Sequence, residues 1–301
     1  MPASGVLVSA HAGDRAATLE TYRNAIATGA DYVELDIRRT ADGQLVAFHD
    51  ALAPGGEPLA AVGYKRLCDL AGYPVPTVAD VLAAIKGQAR GHLDLKHTGG
   101  EDEVVRLALD VLGPGQFIIT TLEDRSVAAI RARFPSADDV PVALSLGRDL
   151  AGASPARWLR TRLSELRPMP RLRVCGAEWV AAEHRLARAG VLRQCHRHHV
   201  KVMVWTVNGD RELRYWLGDG RADVVMTDRP AVAIGLRDQM PAANRSRPSA
   251  SVTPSSAVRH EPPESRTASA TGTPTAGRPA TASSMWVETV MPREPSQPAV
   301  G

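Results

Sequence analysis

Two histidines, His11 and His49, bracket a run in which Glu34 and Asp36 stand two residues apart. In an extended strand, residues i and i+2 point to the same side, so the two carboxylates project together. Adjacent carboxylates repel unless a cation sits between them. Two carboxylates flanked by two histidines is the composition of a hydrolytic site built on a hard metal ion. Oxygen ligands suit calcium or magnesium, and histidine is the side chain that gives or takes a proton near neutral pH. Asp94 and Lys96 repeat the two-residue spacing with opposite charges, which puts both on one strand face.

Each of these residues also has a plainer reading. Glu34 and Asp36 could be a solvated pair on an edge strand, although the apolar flanks Val33, Leu35 and Ile37 favour burial. Asp94 and Lys96 could be only an ion pair, and Trp205 only a core residue. His92 shares a side with Asp94 and is a weak candidate for a supporting role. Asp228 reads as a helix cap or loop anchor before it reads as a catalyst. The cluster Arg193, His196, Arg197, His198 and His199 is most simply a solvated helix end.

The elements that must position these side chains follow from hydrophobic period. β-branched or alternating runs predict strands at residues 6–8, 32–37, 45–48, 91–96, 116–120, 141–146, 173–178, 201–205 and 222–226. Helical spacing predicts helices at 16–27, 78–85, 101–112, 126–134, 156–166, 181–196, 210–217 and 230–236. Thr77 suits an N-cap, and Gly29 falls where a helix-ending glycine belongs. Residues 52–76 read as irregular.

Strand and helix alternate about eight times, which fits an α/β fold, a (β/α)8 TIM barrel, over residues 1–237. His11, Glu34, Asp36, His49, Asp94, Lys96, Trp205 and Asp228 all fall within or just after a strand's carboxyl end, the catalytic face of such barrels. Residues 238–301 are rich in Ser, Thr, Pro and Ala, with charges that nearly cancel, so a disordered tail is expected there. Trp286-Val287 and Val290-Met291 form one apolar island in it.

A net charge of +3 is too small to argue for a nucleic-acid partner. Cys68, Cys175 and Cys195 are scattered and odd in number, so reduced thiols are expected rather than a disulfide framework or a zinc site. No run approaches the roughly 18 apolar residues of a membrane span, and the opening residues lack a secretory pattern. A cytoplasmic protein without stable membrane insertion is the expectation; composition leaves the oligomeric state open.

The ordered motifs resemble the glycerophosphodiester phosphodiesterase family. They are His11-Ala12-Gly13, then Gly29 to Asp36, then Thr40-Ala41-Asp42-Gly43, then Val46 to Asp50. Leu93-Asp94-Leu95-Lys96, Val204-Trp205-Thr206-Val207-Asn208 and Asp223 to Pro230 continue the likeness, which spans about residues 6 to 236. It implies a barrel that binds one divalent cation, Ca²⁺ or Mg²⁺, and hydrolyses glycerophosphodiesters such as glycerophosphocholine to glycerol 3-phosphate and an alcohol. Carried over by position, Glu34, Asp36 and Asp94 would hold the metal. His11 and His49 would be acid and base, Lys96 would contact phosphate, and Trp205 would line the pocket. The family's His-Arg-Gly reads His-Ala-Gly here, and its Pro-Glu-Asn-Thr keeps only Thr18, so Arg15 is the candidate to supply the missing phosphate charge. Two other readings stay open: a phospholipase D-type activity on lysophospholipids, and a barrel that binds a phosphorylated ligand without turning it over.

Overall fold

The computed structural model describes residues 5–12 and 18–240. Arg15, the first two residues of the expected first helix, and the tail from residue 241 onward with its apolar island lie outside the described residues. The strands are β1 (Leu7–Ala10), β2 (Tyr32–Arg39), β3 (Leu45–Ala47), β4 (Arg90–Leu95), β5 (Phe117–Thr121), β6 (Val142–Leu146), β7 (Trp179–Glu183), β8 (Lys201–Trp205) and β9 (Val224–Thr227). All but β3 are parallel, and β1 pairs with both β9 and β2, which closes an eight-stranded TIM barrel. The remaining strand, β3, turns back antiparallel along β2 and delivers His49 to the mouth.

The helices are α1 (Leu19–Ala27), α2 (Tyr64–Ala71), α3 (Val78–Ile85), α4 (Glu101–Val111), α5 (Asp124–Arg133), α6 (Pro155–Leu166), α7 (Met169–Cys175), α8 (His184–Leu186), α9 (Leu192–Arg197), α10 (Asp210–Gly218) and α11 (Pro230–Asp238). None is long and apolar enough to cross a membrane. Thr77 caps α3 as expected: its hydroxyl accepts from the Asp80 amide while the Asp80 carboxylate reaches back. Gly29 takes a positive φ of 77° just after α1. The three thiols are free, and burial pushes the Cys195 thiol up to about 12.

Parity divides the strands into two faces. Val33, Leu35 and Ile37 of β2 look outward into a shell that also holds Val81, Leu82 and Ile85 of α3. Tyr32, Ile118, Ala143, Trp179, Ala181, Met203 and Val224 form a separate apolar cluster at the lower end of the barrel interior. Each large side chain so buried contributes about 1.5–3 kcal/mol. Further up the same inward faces the residues are polar.

Two stretches differ from the expectation. Residues 173–178 do not form the seventh barrel strand. Arg173 lies in α7, where Met169, Leu172 and Cys175 bury one helical face and Gly176 ends the helix at φ 76°. The strand is Trp179–Glu183, buried from Trp179 to Ala182, and the helix expected at 181–196 starts only at His184 and breaks at Gly190, φ 128°. A short alanine-rich run with both faces covered has no period of its own, so it looks like the start of the following helix. Residues 52–76 are also more regular than expected. α2 lies there, ended by Gly72 at φ 76°, over a small core of Val46, Phe48, Leu59, Val62, Leu67 and Val75.

Candidate active site

The barrel register assembles the carboxylates. Asp36 of β2 stands beside Asp94 of β4, and Glu34 beside His92, so the inward side chains of neighbouring strands meet in rows. Ligand oxygens of Glu34, Asp36 and Asp94 lie within 4.8 Å of one another, the one group of three such residues among those described. Glu34 and Asp36 are 2% and 1% exposed. Lys96 Nζ lies 2.9 Å from Asp36 Oδ1 and also pairs with Asp94 Oδ2. Glu34 Oε2 and Asp36 Oδ2 are buried with no hydrogen-bond partner. Such oxygens cost about 1–3 kcal/mol each or more, because their hydration is lost without replacement.

The charge states follow from this crowding. Burial, then repulsion from Asp36 and Asp94, raises Glu34 well above the ordinary carboxylate range, with Lys96 opposing. Asp94 is held below that range: burial works the other way, but Lys96 and the Thr120 hydroxyl outweigh it. Burial lowers Lys96, yet its two carboxylates raise it further, so it stays charged. Two orphaned carboxylate oxygens beside a third carboxylate are the donor set of a hard divalent cation, and these residues fit one.

Beneath the cluster a hydrogen-bonded chain crosses three strands. Thr120 Oγ1 donates to Asp94 Oδ1 at 2.7 Å, His92 Nε2 lies 3.1 Å from Thr120 Oγ1, and Ser9 Oγ lies 3.0 Å from His92 Nδ1. The single threonine hydrogen goes to Asp94, so His92 Nε2 donates and Nδ1 accepts from Ser9. That is a neutral imidazole, and burial pulls its pKa down to about 4. His92 is therefore a buried orienter of Thr120 and Asp94.

His11, half-buried, and His49, exposed, sit at the rim, each with Nδ1 on a carboxylate. His11 Nδ1 is 2.6 Å from Asp228 Oδ1, and His49 Nδ1 is 2.8 Å from Asp50 Oδ1. Such a partner fixes the ring's orientation and leaves Nε2 to act. Asp228 is itself held, its Oδ2 by Asn208 Nδ2 and its amide by Asn208 Oδ1 at 3.0 Å. It caps no helix: the N-cap of α11 is Arg229. Asp228 thus anchors the loop, as one of its two expected readings had it, and also holds His11; Asn208, named only within a motif, positions Asp228 in turn.

Trp205 is half-buried at the end of β8, packed on the inner apolar cluster. Gly147, at φ 117°, lies against it; a Cβ there would come within 2.6 Å of Glu183 Cβ and 3.2 Å of the indole. Only glycine allows that approach. Ala12 is buried in the outer shell. The arginine and histidine cluster at 193–199 ends α9 far along the chain from the carboxylates, and its members Arg193, His196, Arg197, His198 and His199 join no group of three metal-capable side chains among the described residues.

Residues 10–232 match the family model described as the glycerophosphoryl diester phosphodiesterase family. Comparison with curated proteins gives no match. Among solved structures, a glycerophosphodiester phosphodiesterase from Parabacteroides distasonis is 19% identical with a TM-score of 0.61, covering 78% of this chain and 98% of its own. One from Thermotoga maritima is 20% identical with a TM-score of 0.60, covering 77% and 98%. An Oleispira antarctica phosphodiesterase, solved with the product sn-glycerol-3-phosphate, is 19% identical with a TM-score of 0.56, covering 78% and 98%. At such identities the structural likeness speaks for the fold, while the family match spans most of the chain. This chain belongs to the glycerophosphoryl diester phosphodiesterase family and is a phosphodiesterase of that family.

Proposed function

We propose that the protein hydrolyses glycerophosphodiesters in a reaction that depends on one divalent cation, Ca²⁺ or Mg²⁺, with His11 and His49 as acid and base. The observation that carries this reading is the buried cluster of Glu34, Asp36 and Asp94 with two carboxylate oxygens left unpartnered. Glu34, Asp36 and Asp94 would hold the cation, which supplies charge neutralisation on the non-bridging phosphate oxygens. Lys96, bridging Asp36 and Asp94, keeps the cluster compact and adds positive charge on the side where phosphate would approach.

One rim imidazole takes the proton of the attacking hydroxyl at Nε2, and the other gives a proton to the departing alkoxide. Asp228 and Asp50 orient the two rings and favour each imidazolium as it forms. Trp205 offers an apolar wall at the same end of the barrel. The products would be glycerol 3-phosphate and an alcohol, with small deacylated phospholipids such as glycerophosphocholine as substrates. Arg15 remains a candidate substrate contact from the sequence alone.

The test is release of glycerol 3-phosphate from glycerophosphocholine by the purified protein, with EDTA and with added Ca²⁺ or Mg²⁺. Turnover that needs metal and is lost in His11→Ala and His49→Ala is expected. Turnover untouched by EDTA or by either substitution would overturn the assignment.

A further inference from the structure

The charge balance of the cluster shows what it lacks. Glu34, Asp36 and Asp94 as carboxylates carry three negative charges, and a divalent cation with Lys96 brings three positive ones. A phosphodiester, itself an anion, would meet a neutral site. Lys96 is already counted in that sum and its ammonium is engaged by both aspartates, so a net attraction for the anion needs a second cation.

Arg38 is the cation positioned to change that sum. On β2 it follows Glu34 and Asp36 at the same two-residue interval, so all three side chains leave the strand on one side. It is half-buried at the mouth, above the carboxylates. Its Nε donates to the His49 carbonyl at 2.9 Å, which pins the guanidinium beside a rim histidine. The charges that act on it are Asp36, Asp50 and Asp94. Among the described residues, no carboxylate lies within ion-pair distance of it. The fork of Nη1 and Nη2 is therefore left to face an incoming anion.

We infer that Arg38 is the residue that grips the substrate's phosphate, held in place by the His49 carbonyl and lying above the metal-binding carboxylates. Planar guanidinium donors match two phosphate oxygens at once, which an ammonium does not. The inference rests on the functional reading above for the substrate, but the geometry asks only for a phosphate-bearing ligand.

Calorimetric titration of glycerol 3-phosphate into the full-length, Mg²⁺-loaded protein tests it, beside Arg38→Met and Arg38→Lys. Arg38→Met should weaken binding about tenfold or more, and Arg38→Lys by less, since the charge remains while the fork is lost. Mg²⁺ titrations of all three proteins should agree. In turnover of glycerophosphocholine, KM should rise with kcat held within about threefold. An Arg38 that serves only to hold the His49 carbonyl would instead lower kcat and leave product affinity unchanged, which overturns the inference. Wild-type protein that fails to bind glycerol 3-phosphate also overturns it. Wild-type protein that binds the product but turns over no glycerophosphodiester refutes the function proposed above while leaving Arg38 tested by the binding difference.

Discussion

Tyr32, Ile118 and Met203 fill the lower barrel interior with apolar surface, whereas two residues further along β2 and β5 the same inward faces carry Glu34 and Thr120, with Asp36 above. Both layers are buried and both are set by the same parity. The lower one is satisfied by contact alone. The upper one holds three carboxylates against one ammonium and leaves two oxygens without partners. Such a layer costs the fold stability that the proposed cation would offset, so the two layers differ in what they do for the fold: one holds the barrel together and the other weakens it.

Substitutions should break the two layers in opposite ways. The largest effect is expected at the rim above the polar layer: His11→Ala or His49→Ala should reduce kcat by about 10²–10⁴-fold with melting temperature little changed. Met203→Ala, in the apolar layer, should cost about 2–5 kcal/mol in denaturant unfolding while the metal affinity of the folded protein stays the same. Glu34→Gln should do the reverse. It should abolish metal binding yet stabilise the metal-free protein by about 1 kcal/mol or more at neutral pH, because folding no longer has to protonate a buried carboxylate that is ionised in the unfolded chain. Asp228→Asn should lower kcat by about 10–100-fold without touching the metal site, since it only frees the His11 ring.

The smallest effect is in pH. Burial raises Glu34, so the metal-free protein keeps a proton there at pH values where an ordinary glutamate has lost it. A cation must displace that proton. Metal affinity should therefore rise with pH up to Glu34's raised value and level off above it, as followed by calorimetry at several pH values. In Glu34→Asp the slope should persist.

The polar layer was the more legible in sequence. Spacing of two along a strand is enough to place Glu34 with Asp36 and Asp94 with Lys96, because parity is a local property. The register that sets Asp36 beside Asp94 is not local, and only the closed barrel supplies it. The same holds for the partners of the rim histidines. Asp50 is adjacent to His49 in the chain, but Asp228 reaches His11 across 217 positions. Arg38 carries the same interval as the carboxylates, but a cation at the end of a strand reads as solvated, so spacing alone does not mark it. Among the elements, β7 was misplaced because Trp179 to Glu183 is short, alanine-rich and covered on both faces, so neither a two-residue nor a helical period marks it.

The most direct test of the divalent site is a calorimetric titration of Ca²⁺ and Mg²⁺ into chelator-treated wild-type protein and Asp36→Asn. One bound ion per wild-type chain, lost in the variant, is the expected result. No binding by the wild type, or equal binding by both, would contradict the assignment of Glu34, Asp36 and Asp94 as a metal site.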